Sequence, residues 1–183
     1  MKTIGTLVII TLMNIMCYGQ SIYKTRNGQA FFFSNTPMEN IEAVNNEVNS
    51  MINPITGEIV FAVLVKGFRF EKALMEEHFN ENYMQSDKIP KSTFQGKIIN
   101  LAEIDFTKDG TYPVKVDGDL TIHGVKKHIT PSGTLIIDKG KVTVKSTFPV
   151  KLADYNIERP ALVAEKIAES VEVKIDCRYE AKI

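Results

Sequence analysis

Residues 112–123, YPVKVDGDLTIH, alternate in polarity with a period of two. Val114, Val116, Leu120 and Ile122 fall on one face, and Lys115, Asp117, Asp119 and Thr121 on the other. This is the pattern of an antiparallel strand with one side in a core and one in water. Gly118 interrupts the stripe at its centre and predicts a bulge or sharp bend of the kind that lets a sheet curl into a barrel. His123-Gly124 then reads as a turn, VKKHITPSGTLIID returns, and Asp138-Lys139-Gly140 turns the chain into KVTVKSTFPVKL, where Val142, Val144, Phe148 and Val150 share a parity. The segment from Val171 to Ala181 repeats the alternation through Val173, Ile175, Cys177 and Tyr179.

Upstream, EIVFAVLVKGFRF, Glu58 to Phe70, is apolar without a break from Ile59 to Val65. Such a run predicts a strand covered on both faces, or one with a lumen on one side and a packed helix on the other. Two more strands are expected around 29–35 and 41–51, and Asn53 to Gly57 supplies turn chemistry before the long apolar strand. Helical spacing occurs twice: at Leu74, Met75, His78, Phe79 and Tyr83, and in RPALVAEKIAES, with Pro160 at a first helical position before Leu162, Val163 and Ile167. Strands in succession with two short helices and no βαβ alternation point to an all-β closed antiparallel barrel or a sandwich.

The chain has 183 residues, with 22 basic against 22 acidic side chains and no Lys/Arg stripe. Nucleic acid and anionic membranes are therefore poor partners. Residues 1–19, MKTIGTLVIITLMNIMCYG, have a basic start at Lys2, an apolar run from Ile4 to Met16 and small Gly19, the layout of a secretory signal peptide. The expectation is an exported protein, periplasmic or secreted, with one domain over 20–183. The apolar run is shorter than the roughly 20 residues that span a bilayer, so no stable membrane insertion is expected after removal of the leader. With Cys17 gone, Cys177 has no disulfide partner and reads as a small inward-facing apolar residue.

Glu76-Glu77-His78, with Glu81 one turn on, could bring carboxylate and imidazole together on a helix. No HExxH, paired CxxC or histidine cluster completes a zinc ligand set, and neither a GxSxG elbow nor a glycine-rich phosphate loop occurs. His123 and His128 fall on a polar parity that predicts solvent. No catalytic residue, metal or cofactor is assigned. Ten phenylalanines and six tyrosines supply apolar capacity, and an eight-stranded barrel can either fill itself with such side chains or enclose a cavity.

The segment LMEEHFNENYMQSDKIPKSTFQG, 74–96, followed by VKVDGDLTIHGVKKHIT, 114–130, resembles the YceI-like family of exported proteins, in its Bacteroidetes-type branch, from about Ser21 to Ile183. The recognisable positions are Phe79, Tyr83, Asp87, Pro90, Phe94 and Gly96 in the first segment, and Gly118, Leu120, His123 and Gly124 in the second. The resemblance implies an extended antiparallel eight-stranded barrel, lipocalin-like in shape, that binds a polyisoprenoid or other amphiphilic lipid. On that frame Phe61, Val63, Val65, Phe68, Phe70, Phe94, Val114, Val116, Leu120, Ile122, Val142, Val144, Val173 and Ile175, with Phe79 and Tyr83 from a helix packed over one barrel end, are expected to form an apolar tunnel. An isoprenoid lipid or quinone would occupy it, and His78, Arg69, Lys88 and Lys91 are candidates for its headgroup. The alternatives are a filled-core barrel acting as a stress-related or partner-binding module and, third, a lipid-modifying hydrolase.

Overall fold

A computed structural model describes residues 22–181. The expected signal peptide, 1–19, lies outside the described residues. The strands are β1 (Tyr23–Asn35), β2 (Asn40–Ile52), β3 (Glu58–Leu64), β4 (Arg69–Phe70), β5 (Lys91–Ile98), β6 (Gly110–Ile122), β7 (Val125–Ile129), β8 (Ser132–Asp138), β9 (Lys141–Lys151) and β10 (Ser170–Ala181). Eight of them close an antiparallel ring in the order β1-β10-β9-β8-β6-β5-β3-β2, with β2 pairing back to β1. The short β4 pairs with β2, and β7 with β6. Closure gives each ring strand a partner on both sides, which removes the exposed edges of an open sheet. The expected barrel is the observed fold.

Local chemistry explains the hairpins. His123 and Gly124 have φ of 50° and 74°, and Lys139 and Gly140 have 49° and 76°. Both pairs have the positive φ of a type I′ turn, whose twist matches that of the flanking strands. Gly118, in contrast, is not a bulge: β5 and β6 pair from Thr93↔Thr121 to Ile98↔Val116 without a shift. The irregularity is on the other edge of β6, which pairs with β8 up to Lys115 and with β7 from Gly118 onward. Between them Val116 N–H donates to Pro131 O at 3.0 Å. The ladder is interrupted at Thr130-Pro131, where proline has no N–H to continue it, and the register is the same on both sides.

The expected strand from Glu58 to Phe70 also divides, at Leu64. The buried side chain of Asn45 donates from Nδ2 to Leu64 O (2.8 Å), and its Oδ1 accepts from Glu47 N–H (2.8 Å). Val65 to Gly67 then form a 3-10 turn, with Val65 N–H donating to Pro90 O at 2.9 Å. Gly67 passes so close to Asn45 that a Cβ there would lie 2.6 Å from its Nδ2. On β3 the alternate side chains Val60 and Ala62 are half-buried and Leu64 is exposed, so the apolar run faces a lumen on one side only.

Residues Ala73–His78 form one short helix, α1, which widens into a single π turn over Phe79–Tyr83. The second expected helix is a 3-10 turn, Ala161–Lys166, with Pro160 at its N-cap rather than inside it. Arg159 Nη1 donates to Ala164 O (3.0 Å) and Ile167 O (2.8 Å), and these tertiary bonds shape a segment too short to sustain an α-helix alone.

The barrel is filled at one end and hollow at the other. Val48, Ile52, Leu135, Ile137, Val142, Cys177 and Tyr179 pack the closed end, each at most 3% exposed. The Tyr179 hydroxyl shares a 2.7 Å hydrogen bond with Ser50 Oγ, which also bonds Val60 O at 2.8 Å, so the one large polar group in this plug is satisfied. Tyr23 and Phe106 stack at 5.8 Å over the same end. On the outer wall His128 lies between two carboxylates, Nε2 to Asp117 Oδ2 and Nδ1 to Asp119 Oδ1, both at 3.1 Å.

Two outcomes follow from this packing. Burial pushes the Cys177 thiol up to about 12, and Cys177 Sγ occupies the space that a Cβ on Gly28 would need. Cys177 is expected to resist a thiol reagent until the protein is unfolded, and Gly28→Ala to cost about 1–3 kcal/mol in urea unfolding; rapid native-state labelling would contradict the packing. Asp119 first and Asp117 second raise the His128 pKa above its ordinary 6.5. The stability this contributes is present below about pH 6.5 and is lost as pH rises through the raised value. Titration followed by NMR should show the raised pKa, with Asp119→Asn moving it back down.

Candidate functional site

The hollow end holds a cavity of about 530 Å³, within the roughly 300–1,000 Å³ of ordinary ligand pockets. Its wall comes from alternate residues of the ring: Ile59, Phe61 and Val63 on β3, Phe94 on β5, Val114, Val116, Leu120 and Ile122 on β6, Val144, Phe148 and Val150 on β9, and Val171, Val173 and Ile175 on β10. Above the start of β8 no pairing joins β7 to β9 among the described residues. The segment from Leu152 to Ile167 lies there and contributes Leu152, Ile157, Val163 and Ile167 to the lining.

All the apolar residues expected in the tunnel line this cavity except Val65 and Val142. Val65 turns away because the chain leaves β3 at Leu64 and buries it in the 3-10 turn. Val142 shares the parity of Val144 but sits at the closed end, opposite Ile137, with no exposed surface. Parity decides which face a side chain takes and says nothing of its height along the barrel axis.

Of the headgroup candidates only His78 reaches the lining. Arg69 lies outside, with Nη1 2.8 Å from Glu76 Oε1. Lys91 begins β5 on the parity opposite Ser92 and Phe94, and Lys88 is exposed in the turn after Gln85. The charged groups at the mouth are instead Glu39, Lys72 and Lys166, with Lys72 Nζ 3.3 Å from Glu39 Oε1. His123 is corrected as well: it is half-buried rather than solvent-facing, and its Nδ1 donates to Tyr155 O at 3.2 Å, tying the β6–β7 turn to the 3-10 turn Leu152–Tyr155.

A cluster of four phenylalanines forms one side of the wall. Phe32 stacks on Phe79 at 5.4 Å and lies 5.6 Å from both Phe68 and Phe70, and Phe70 meets Phe79 at 5.0 Å. Aromatic pairs of this kind add about 0.5–1.5 kcal/mol each beyond their buried area. The cluster fastens α1 and β4 to β1. Phe32 was not among the expected site residues, although Ala30, Phe32 and Ser34 share a parity and all three line the cavity.

Opposite them, Phe94 lies over a pair of glycines. Gly96 and Gly118 face each other across β5 and β6. A Cβ on Gly118 would meet Gln95 O and Gly96 Cα at 2.5 Å and the Phe94 ring at 2.8 Å; one on Gly96 would meet Asp117 O at 2.7 Å. Phe94, Gly96, Gly118 and Leu120 thus act as one unit, in which absent side chains make room for a ring that floors the cavity wall.

The barrel as a whole coincides with a domain family. The chain matches the YceI-like domain over residues 25–179. It belongs to the YceI-like family. No curated protein matches it in sequence. Among solved structures, it is similar to a polyisoprenoid binding domain from Saccharophagus degradans, with a TM-score of 0.77 at 15% identity, covering 90% of this chain and all of that one. It is also similar to BcnA of Burkholderia cenocepacia (0.68, 16%, covering 84% and 96%) and to the YCEI protein of Campylobacter jejuni (0.56, 13%, covering 100% and 94%). At these identities the likeness shows the barrel.

In this YceI-like barrel the polar groups of the lining are few. Ser34 Oγ accepts from Ala168 N–H (2.8 Å), and Ser146 Oγ donates to Ser132 O (2.7 Å). Burial raises the Tyr83 hydroxyl pKa above its ordinary value. Among the described residues no three His, Cys, Asp or Glu side chains are placed to hold a metal, and no hydrogen bond joins His78 to a serine. What the arrangement can do chemically is exclude water around hydrocarbon. The glycine pair is testable: Gly118→Ala is expected to lower stability by roughly 1–3 kcal/mol in urea unfolding, because the obstructing atoms are backbone and cannot rotate away. An unchanged midpoint would show that the ring and strands are loosely packed there.

Proposed function

We propose that this YceI-like protein is a non-enzymatic carrier or sequestering protein that holds the tail of a polyisoprenoid or comparable amphiphilic lipid, such as an isoprenoid quinone, in the barrel. The observation that carries the proposal is the cavity of about 530 Å³, walled by Phe, Val, Ile and Leu, with its charged groups at one end. The likeness to a polyisoprenoid binding domain supports the ligand class. Burying hydrocarbon contributes about 0.8 kcal/mol per methylene. A tail with about fifteen such groups inside gains about 12 kcal/mol, which after about 4 kcal/mol lost to immobilisation leaves about micromolar binding without a directed polar contact. The headgroup then rests at the mouth near His78, Lys72 and Lys166. The leader-like residues 1–19 support an exported, periplasmic or secreted setting, and the 74–96 motif a Bacteroidetes-type member.

Organic extraction of the purified protein followed by mass spectrometry is expected to recover such a lipid, and titration with isoprenoid quinone to show uptake. Val144→Phe places a larger ring in the cavity and should weaken uptake about tenfold, since displacing two methylenes costs about 1.6 kcal/mol, while leaving a cooperative unfolding transition. Empty protein that takes up neither quinone nor fatty acid would sink the proposal.

A further inference from the structure

The rim of the cavity carries apolar side chains that the barrel leaves in water. Leu74 lines the cavity and is also 61% exposed; Leu162, beside the lining residue Val163, is 98% exposed; Met38, beside Glu39, is 63% exposed. They come from three separate segments: α1, the 3-10 turn Ala161–Lys166 and the β1–β2 loop. A single exposed leucine is ordinary. The distinguishing feature is continuity, because Leu74 carries the apolar surface from inside the cavity over its edge.

The charges around this rim are largely matched. Lys72 pairs with Glu39 (3.3 Å), Arg69 with Glu76 (2.8 Å) and Arg159 with Glu169 (2.8 Å), while Lys166 follows Glu165 in the chain. No net positive field is available to draw the mouth to anionic phosphate, so association with a surface has to come from apolar insertion. A hydrocarbon leaving the cavity through water is slowed roughly fourfold for each methylene exposed. A bilayer held against the mouth removes that exposure.

We infer that the mouth docks transiently on a phospholipid surface, with Met38, Leu74 and Leu162 entering the acyl boundary so that cavity and bilayer form one apolar path. Docking needs no anionic lipid and is insensitive to salt. The exchange part of this inference rests on the carrier reading; the docking part does not.

The chain contains no tryptophan, so Leu162→Trp creates a single reporter at the rim and Ile99→Trp, 58% exposed near the closed end, a control. With phosphatidylcholine vesicles, Leu162→Trp fluorescence is expected to shift to the blue and to be quenched by brominated lipid, equally at low and high salt, while Ile99→Trp stays unchanged. In the exchange arm, a neutral fluorophore, N-phenyl-1-naphthylamine, is loaded into the protein and its transfer to vesicles timed. Met38→Ser with Leu162→Ser, neither of which lines the cavity, should slow transfer roughly tenfold with fluorophore affinity unchanged. Equal response of both reporters, response only to anionic vesicles at low salt, or a shift that follows protein concentration without vesicles would overturn the inference. A protein that loads no fluorophore yet still shows the rim-specific shift would retract the carrier reading and leave docking standing.

Discussion

Closure of the ring through β1, which pairs with β10 on one edge and β2 on the other, is the constraint on which the rest depends. A buried backbone N–H or C=O left unpaired is costly, and a closed ladder pairs the ring strands with one another. The interior wall therefore owes little to polar side chains and can be made of hydrocarbon. That freedom is what permits an apolar cavity in a domain of this size.

The same ring is finished differently at its two ends. Tyr179, held by Ser50, and the aliphatic residues around it plug one end. At the other, Asn45 captures the carbonyl of Leu64 where the chain leaves β3 for the 3-10 turn, and Phe68 and Phe70 beyond it join the aromatic cluster. After the 3-10 turn β4 resumes pairing on the same edge of β2, displaced by two residues from the β3 register.

Much of the barrel was legible in the primary structure because burial on one face imposes a period of two. The alternation in β6, β9 and β10 and the positive-φ turn residues His123-Gly124 and Lys139-Gly140 point to hairpins directly. The wall residues Val63, Val114, Leu120, Val173 and Ile175 follow from the same parity. Phe32 was missed because three consecutive phenylalanines hide which parity faces inward. Arg69, Lys88 and Lys91 lie near the mouth in sequence, yet their side chains point elsewhere, since a charged group on the outer parity is solvated at no cost.

The EEH cluster of α1 illustrates the division. Read along the chain it suggested acid–base chemistry; in space Glu76 is spent on Arg69, and the neighbours that matter are Phe79 and Tyr83 in the wall. The sequence by itself determined the strand alternation, the turns, the family and the apolar parity, because these are set by local sterics and by the partition of side chains between two faces. Only the tertiary structure decided the height of each side chain along the axis, the break at Leu64 and the position of the open end. Those depend on contacts between residues distant in the chain, such as Asn45 with Leu64 and Ser50 with Tyr179, which no local periodicity encodes.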